Sequence, residues 1–182
     1  MTALALPSVV LMSLVGILGF IDGVYFHIWK FRLHERRDSR REHVIHALRA
    51  SLAVPAIYGL FVVPVSGVWL WAIAGFIVAD FFAMVWDLFE EDHSRRDLGG
   101  IPRAEYIIHV VATGFHMAAC ALALASRPLA AWASDTAPAD LPAVVMTIGQ
   151  LAIPTSIALA LAHFALLHPR VAALLPAATG RS

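Results

Sequence analysis

The chain has 182 residues, 60% of them hydrophobic and 14% charged, with a mean hydropathy of +0.76. Such values lie outside the range of soluble globular domains, and the length suits one membrane-embedded domain. Thirteen Lys and Arg balance thirteen Asp and Glu, which gives no basic surface for nucleic acid, and a single cysteine, Cys120, excludes an internal disulfide and any CxxC site.

A bilayer core of about 30 Å needs roughly 20 apolar residues per helix. Five stretches qualify: about 6–29, 43–65, 67–89, 105–126 and 142–167. The first is apolar from Ala3 with no basic residue ahead of it, so it is expected to be a retained helix and not a cleaved signal peptide. It carries His27, with His34 seven residues on, and Asp22 on what an α-helical period makes a different face.

The first connector reads Glu35-x-x-x-Ser39-Arg40-Arg41 and leads into Glu42-x-x-x-His46. Residues four apart share a helix face, so Glu42, His46 and Arg49 form a stripe in the second span, with His43 beside it. Ser39 and Glu42 also have the spacing of a capping box. Pro64, Ser66 and Gly67 predict a tight turn into the third span, which offers Asp80, Asp87 and Glu91.

The connector motif then recurs. Glu90-x-x-x-Ser94-Arg95-Arg96 passes a Gly99-Gly100 break and Pro102 before Glu105-x-x-x-His109. Pro102 suits a first helical turn, where Glu105 favours the helix dipole. The fourth span carries Glu105, His109, Thr113, His116 and Cys120 on one face. Both serine–arginine runs are expected to be solvated and to face lipid headgroups. A loop from Arg127 to Leu141 precedes the fifth span, where His163 reads as a hydrogen-bonded interior histidine. His93 and His168 are expected to be exposed, and Trp29, Trp69, Trp71 and Trp86 to anchor span ends at the interface.

Gly19-Phe20-Ile21 and Gly75-Phe76-Ile77 extend the doubled motif into a repeat. The expected fold is an all-α integral membrane protein of five transmembrane helices. Helices one to four form a bundle of two helix–connector–helix repeats, at about 15–65 and 71–126, related by a pseudo-twofold along the membrane normal. Residues 1–168 make one domain, with an extra helix at 142–167 and a flexible tail at 169–182. Nearly every Lys and Arg lies at one side, so the positive-inside rule places the N-terminus outside and the C-terminus in the cytoplasm of a plasma or inner membrane.

Depth sorts the polar residues. At 1.5 Å per residue, His27, His46, Asp87 and His109 fall about one turn inside the cytoplasmic boundary, with Glu42, His43, Glu91 and Glu105 at it. These eight are the expected metal ligands. Imidazole with carboxylate suits iron, manganese or zinc, as one ion or a di-iron pair. Deeper lie Arg49, Asp22 and Asp80, expected to act on substrate, with Arg49 in a buried ion pair to Asp22 or Asp80. His116 is the cofactor-binding candidate, for haem b would need opposed pairs such as His46 with His109 or His27 with His116. The Glu-to-His spacing of four departs from the three-residue spacing of ferritin-like di-iron bundles. His43-x-x-His46 resembles only half of the paired histidine boxes of membrane desaturases.

Three functions follow as expectations. The first is a metal-dependent oxidoreductase acting on a membrane lipid or other apolar substrate, with an electron donor as partner, as a monomer or an oligomer. Phe26, Phe81, Phe82 and Phe115 would form its apolar walls. The second is a b-type cytochrome. The third is a metal or proton carrier or an assembly protein, against which stands the lack of polar residues in the outer half of the spans.

Overall fold

The structure, a computed structural model, describes residues 2–133 and 141–172, and among these residues there are helices and turns but no strand. Five helical stretches are long and apolar enough to cross a membrane: Ala3–Lys30, Arg40–Val62, Gly67–Ser94, Arg103–Ala125 and Ala143–Leu166. They coincide with the five expected spans. Only a minority of each is buried, and exposed aromatic residues, the four expected anchor tryptophans among them, stud their outer faces. Helices apolar on all sides suit an apolar solvent. The expected 169–182 tail lies largely outside the described residues.

Helix α1 (Thr2–Phe20) does not end at Phe20 but widens into a π-helix over Ile21–Lys30. Its hydrogen bonds skip to the fifth residue, as in Phe31 N–H to the Phe26 carbonyl at 2.9 Å. This winding corrects one expectation. At the α-helical advance of about 100° per residue, Asp22 and His27 would point well apart, whereas a turn that closes on the fifth residue sets them on one face. Arg32, at φ 50°, then reverses the chain into a short 3-10 turn, Leu33–Glu35.

Helix α2 (Arg40–Ile57) ends in a π turn, Tyr58–Val62, just past Pro55, which cannot donate a backbone hydrogen bond. Gly67, at φ 55°, opens α3 (Gly67–Ser94). After the turn Arg96–Leu98, Gly99 and Gly100 both have positive φ, which side chains disfavour, and the chain folds back into α4 (Arg103–Ala125). A short α5 (Leu129–Ala133) packs on α3, where the Trp71 indole donates to the Trp132 carbonyl at 3.0 Å. Then follow α6 (Ala143–Leu166) and α7 (Pro169–Ala172).

Helix α1 lies mainly along α4, and α2 lies between α3 and α6. Helix α6 also touches α1, so neighbours run α4–α1–α6–α2–α3. The end away from the charged connectors is closed by an apolar core that includes Val9, Phe61, Ile73, Ala119 and Val145. Small residues allow close approach there. A Cβ on Gly149 would sit 2.8 Å from the Phe61 carbonyl oxygen, and the Ser8 hydroxyl donates to the Ala119 carbonyl at 2.7 Å. At the same end Arg127 is buried and donates to the carbonyls of Gly59 (3.1 Å) and Leu60 (2.7 Å), which closes the π turn of α2. Burial lowers the pKa of its guanidinium.

Candidate metal centre

Polar groups gather at the other end, and their keystone is a residue that spacing placed in solvent. Arg95, just past the last turn of α3, is 0% exposed. Its Nη1 donates to Glu42 Oε2 at 2.7 Å and to the Ser94 hydroxyl at 2.8 Å. Its Nε donates to Glu105 Oε1 at 3.1 Å, and Nη2 bonds the same carboxylate. Burial works against the charge, but hydrogen bonds and the charges of Glu42 and Glu105 prevail and raise the pKa of the guanidinium. The Ser94 hydroxyl donates in turn to the Ser39 hydroxyl at 2.7 Å.

Thus only part of each serine–arginine run is solvated: Arg40, Arg41 and Arg96 are exposed, while Ser39, Ser94 and Arg95 are buried. Nor does Ser39 cap α2 with its side chain, because its hydroxyl and the Glu42 carboxylate serve this inner network instead.

Four helices meet on that base, and each brings two of the acids and imidazoles. His27 Nε2 from the π segment lies 3.4 Å from Glu105 Oε1, 3.7 Å from Glu42 Oε1 and 3.6 Å from Asp22 Oδ2. The His27 and His46 rings are 4.7 Å apart. His46 Nε2 approaches Asp87 Oδ2 at 3.1 Å, and His109 Nδ1 lies 2.8 Å from Glu91 Oε1 and 3.8 Å from Asp22 Oδ2. Three triads place their ligand atoms within 4.8 Å of one another: His27–Glu42–His46, Asp22–His27–Glu105 and Asp87–Glu91–His109. His27 belongs to two of them. The Asp22–His109 and His46–Asp87 approaches tie the third to the others, so the ligand atoms close into a ring.

Half of these atoms, His27 Nε2, Glu42 Oε1, His46 Nε2 and Glu91 Oε1, have no hydrogen-bond partner among the described residues. On the same side chains Asp22 Oδ1, Glu105 Oε2 and His109 Nε2 are likewise buried without one. A buried polar atom left unsatisfied costs about 1–3 kcal/mol, and so many facing one another describe a donor set that fits a cation. Nitrogen and carboxylate oxygen suit iron, manganese or zinc. The one thiol stands apart, with Cys120 Sγ 3.9 Å from His116 Nε2.

The deeper residues divide differently from expectation. Arg49 Nη1 donates to Asp87 Oδ2 at 2.8 Å and Nε to Asp80 Oδ1 at 3.3 Å. Its partners are therefore Asp80, one of the two expected, and Asp87, while Asp22 joins the ligand ring. His116 Nε2 lies 2.8 Å from Asp80 Oδ2. Each of His27, His46, His109 and His116, the residues expected to pair about a haem, has a ring nitrogen beside a carboxylate. His43 belongs to no triad. Its ring packs 5.0 Å from His163 of α6, which also lies 5.7 Å from His46. Spacing had left α6 outside the site; the signal available was a lone histidine in an apolar span.

An apolar cavity of about 650 Å³ leads to the cluster between α1, α2, α4 and α6. Its lining runs from Ile17, Phe20 and Leu151, all exposed on the outer surface, to His46, Arg49, Asp80, His109 and His116. The expected aromatic walls are elsewhere: Phe81 and Phe82 face outward, Phe26 packs beneath Lys30, and Phe115 does not line the cavity. No protein-family model, curated protein or solved structure matches the chain.

Proposed function

We propose that the protein is a multi-pass membrane oxidoreductase whose metal centre, one or two iron or other divalent ions, lies just inside the cytoplasmic face. Its substrate is a lipid or another apolar molecule that enters sideways from the bilayer. The observation that carries this reading is the closed ring of imidazoles and carboxylates, several of its buried atoms without a hydrogen-bond partner among the described residues, at the end of an apolar cavity.

Charge supports it. Six buried carboxylates (Asp22, Glu42, Asp80, Asp87, Glu91 and Glu105) face two guanidiniums, Arg49 and Arg95. The surplus of four negative charges equals the charge of two divalent ions, and charges at that depth are costly unless compensated. Arg95 holds one oxygen of Glu42 and so turns the other toward His27, while Arg49 fixes Asp80 and Asp87. A bound ion supplies Lewis acidity and, for iron, activation of dioxygen with electrons from an external donor. The cavity places the apolar part of a substrate beside the ring and keeps water out.

Two further features fit. Ser39 touches Ser94, and Glu42 and Glu105 share Arg95. Helix α1 packs on α4 as α2 packs on α3. Two helix–connector–helix halves about a pseudo-twofold produce these meetings of equivalent residues. The crowd of Arg and Lys at this end favours a cytoplasmic location by the positive-inside rule.

A second reading has its own support. Four imidazoles, each beside a carboxylate, would neutralise the same charge if protonated, as in a proton carrier. The apolar core at the opposite end offers such a carrier no path. Metal analysis with an optical spectrum of the full chain in nanodiscs separates these readings. The expected result is about two iron, manganese or zinc ions per chain, lost in His27→Ala and retained in His93→Ala and His168→Ala. Wild-type protein free of such metals overturns the proposal, and a Soret band would replace it with haem.

A further inference from the structure

A second cavity, of about 400 Å³, includes His43 in its lining and is framed by the turn Leu33–Glu35, the start of α2 and the junction of α6 with α7. Three arginines line it, Arg36, Arg37 and Arg40, together with His34 and His43.

Several of their donors are buried and unused. The His34 side chain is only 1% exposed, and neither ring nitrogen has a hydrogen-bond partner among the described residues. The same holds for Arg36 Nε and His43 Nε2. The acid on the lining, Glu35, is already engaged: Arg32 Nε donates to its Oε2 at 2.7 Å, and Arg32 Nη2 bonds its other oxygen. Asp97 reaches Arg36 only at 3.8 Å and is itself 70% exposed. Buried donors in a positive setting call for an anionic acceptor with several oxygens, and guanidinium forks match phosphate geometry. The cavity also sits at the start of α2, where the helix dipole favours negative charge.

We propose that this pocket binds a phosphate group, either free phosphate or the headgroup of a phospholipid. Leu166, Leu167 and Ala172 form its remaining wall, and an apolar wall beside a basic one accommodates either source. Arg49 is committed to Asp80 and Asp87. The pocket stands independently of the metal reading.

The test uses the full chain in dodecyl maltoside, with melting temperature followed against ligand concentration, since a ligand that binds the folded state stabilises it. The probes are inorganic phosphate, with sodium chloride at matched ionic strength, and dioctanoyl phosphatidic acid in the micelle, with dioctanoylglycerol as its uncharged control. Saturable stabilisation by phosphate assigns a free anion, and stabilisation by the phosphatidic acid alone assigns a headgroup. Either is expected to weaken about tenfold in His34→Asn/Arg37→Gln, a loss of about 1.4 kcal/mol, and to persist in Arg41→Gln, which removes a charge outside the pocket. Arg37 is exposed, so Arg37→Gln alone keeps the fold and must also weaken binding. No saturable effect from either probe, or equal binding by wild type and Arg37→Gln, overturns the proposal.

Discussion

Arg95 shows how much one side chain can decide at the residue scale. Its removal would leave Glu42 and Glu105 buried with no cation between them, and breaking a buried pair in this way costs about 3–5 kcal/mol. Arg95→Leu is therefore expected to lower the melting temperature sharply, whereas Arg96→Leu, at an exposed neighbour, stays within about 0.5 kcal/mol of wild type. Equal melting of the two variants in detergent would show that the buried guanidinium carries no stability. The i, i+4 spacing of Glu42 with His46 and Glu105 with His109 made those residues legible from sequence. Arg95 was legible too, because it continues the Asp87–Glu91 stripe at the same interval, but two consecutive arginines read as a solvated pair. Asp22 was legible as a buried site residue but not as a member of the ligand ring, since only the π winding of its segment turns it toward His27.

At the scale of the helix, span number followed from length and hydropathy, which need no tertiary information. Turn chemistry marked the reversals at Gly67 and at Gly99-Gly100 correctly. What the pattern lacked was the widening of α1 and α2 into π turns, because apolar residues satisfy either winding. It also lacked the contact that seats α6. Gly149 meets the Phe61 backbone so closely that an added Cβ would lie 2.7 Å from the Phe61 Cβ and 2.8 Å from its carbonyl oxygen. Backbone cannot move aside as a side-chain tip can, so Gly149→Ala is expected to destabilise by about 1–3 kcal/mol. Gly114→Ala, with nothing within 4 Å, serves as its neutral counterpart. Thermal unfolding that ranks the two variants the other way would contradict the close approach of α6 to the end of α2.

For the whole molecule, the order α4–α1–α6–α2–α3 could not be read from the chain, because a doubled motif is compatible with several arrangements of the remaining helix. Contacts placed α6 between α1 and α2 and gave His163 its position over His43 and His46. Sidedness is testable at this scale. Cys120 is buried and can be replaced by Ala to give a cysteine-free background. In intact cells a membrane-impermeant maleimide is expected to label Leu129→Cys, at an exposed position near the end away from the charged connectors, and to reach Arg37→Cys only after permeabilisation. The opposite pattern would invert the proposed orientation. The entrance of the larger cavity also has a thermodynamic consequence. The cavity's lining reaches the exposed side chains of Ile17 and Phe20 on one helix and Leu151 on another, a flank that would face hydrocarbon once the proposed spans are in a bilayer. A compound arriving there is sampled at its concentration in the lipid phase, so apparent potency should track partition coefficient as much as fit. A hydrophilic analogue with a perfectly matched polar group would then be a poor ligand, and dilution of the bilayer with inert lipid would weaken a good one.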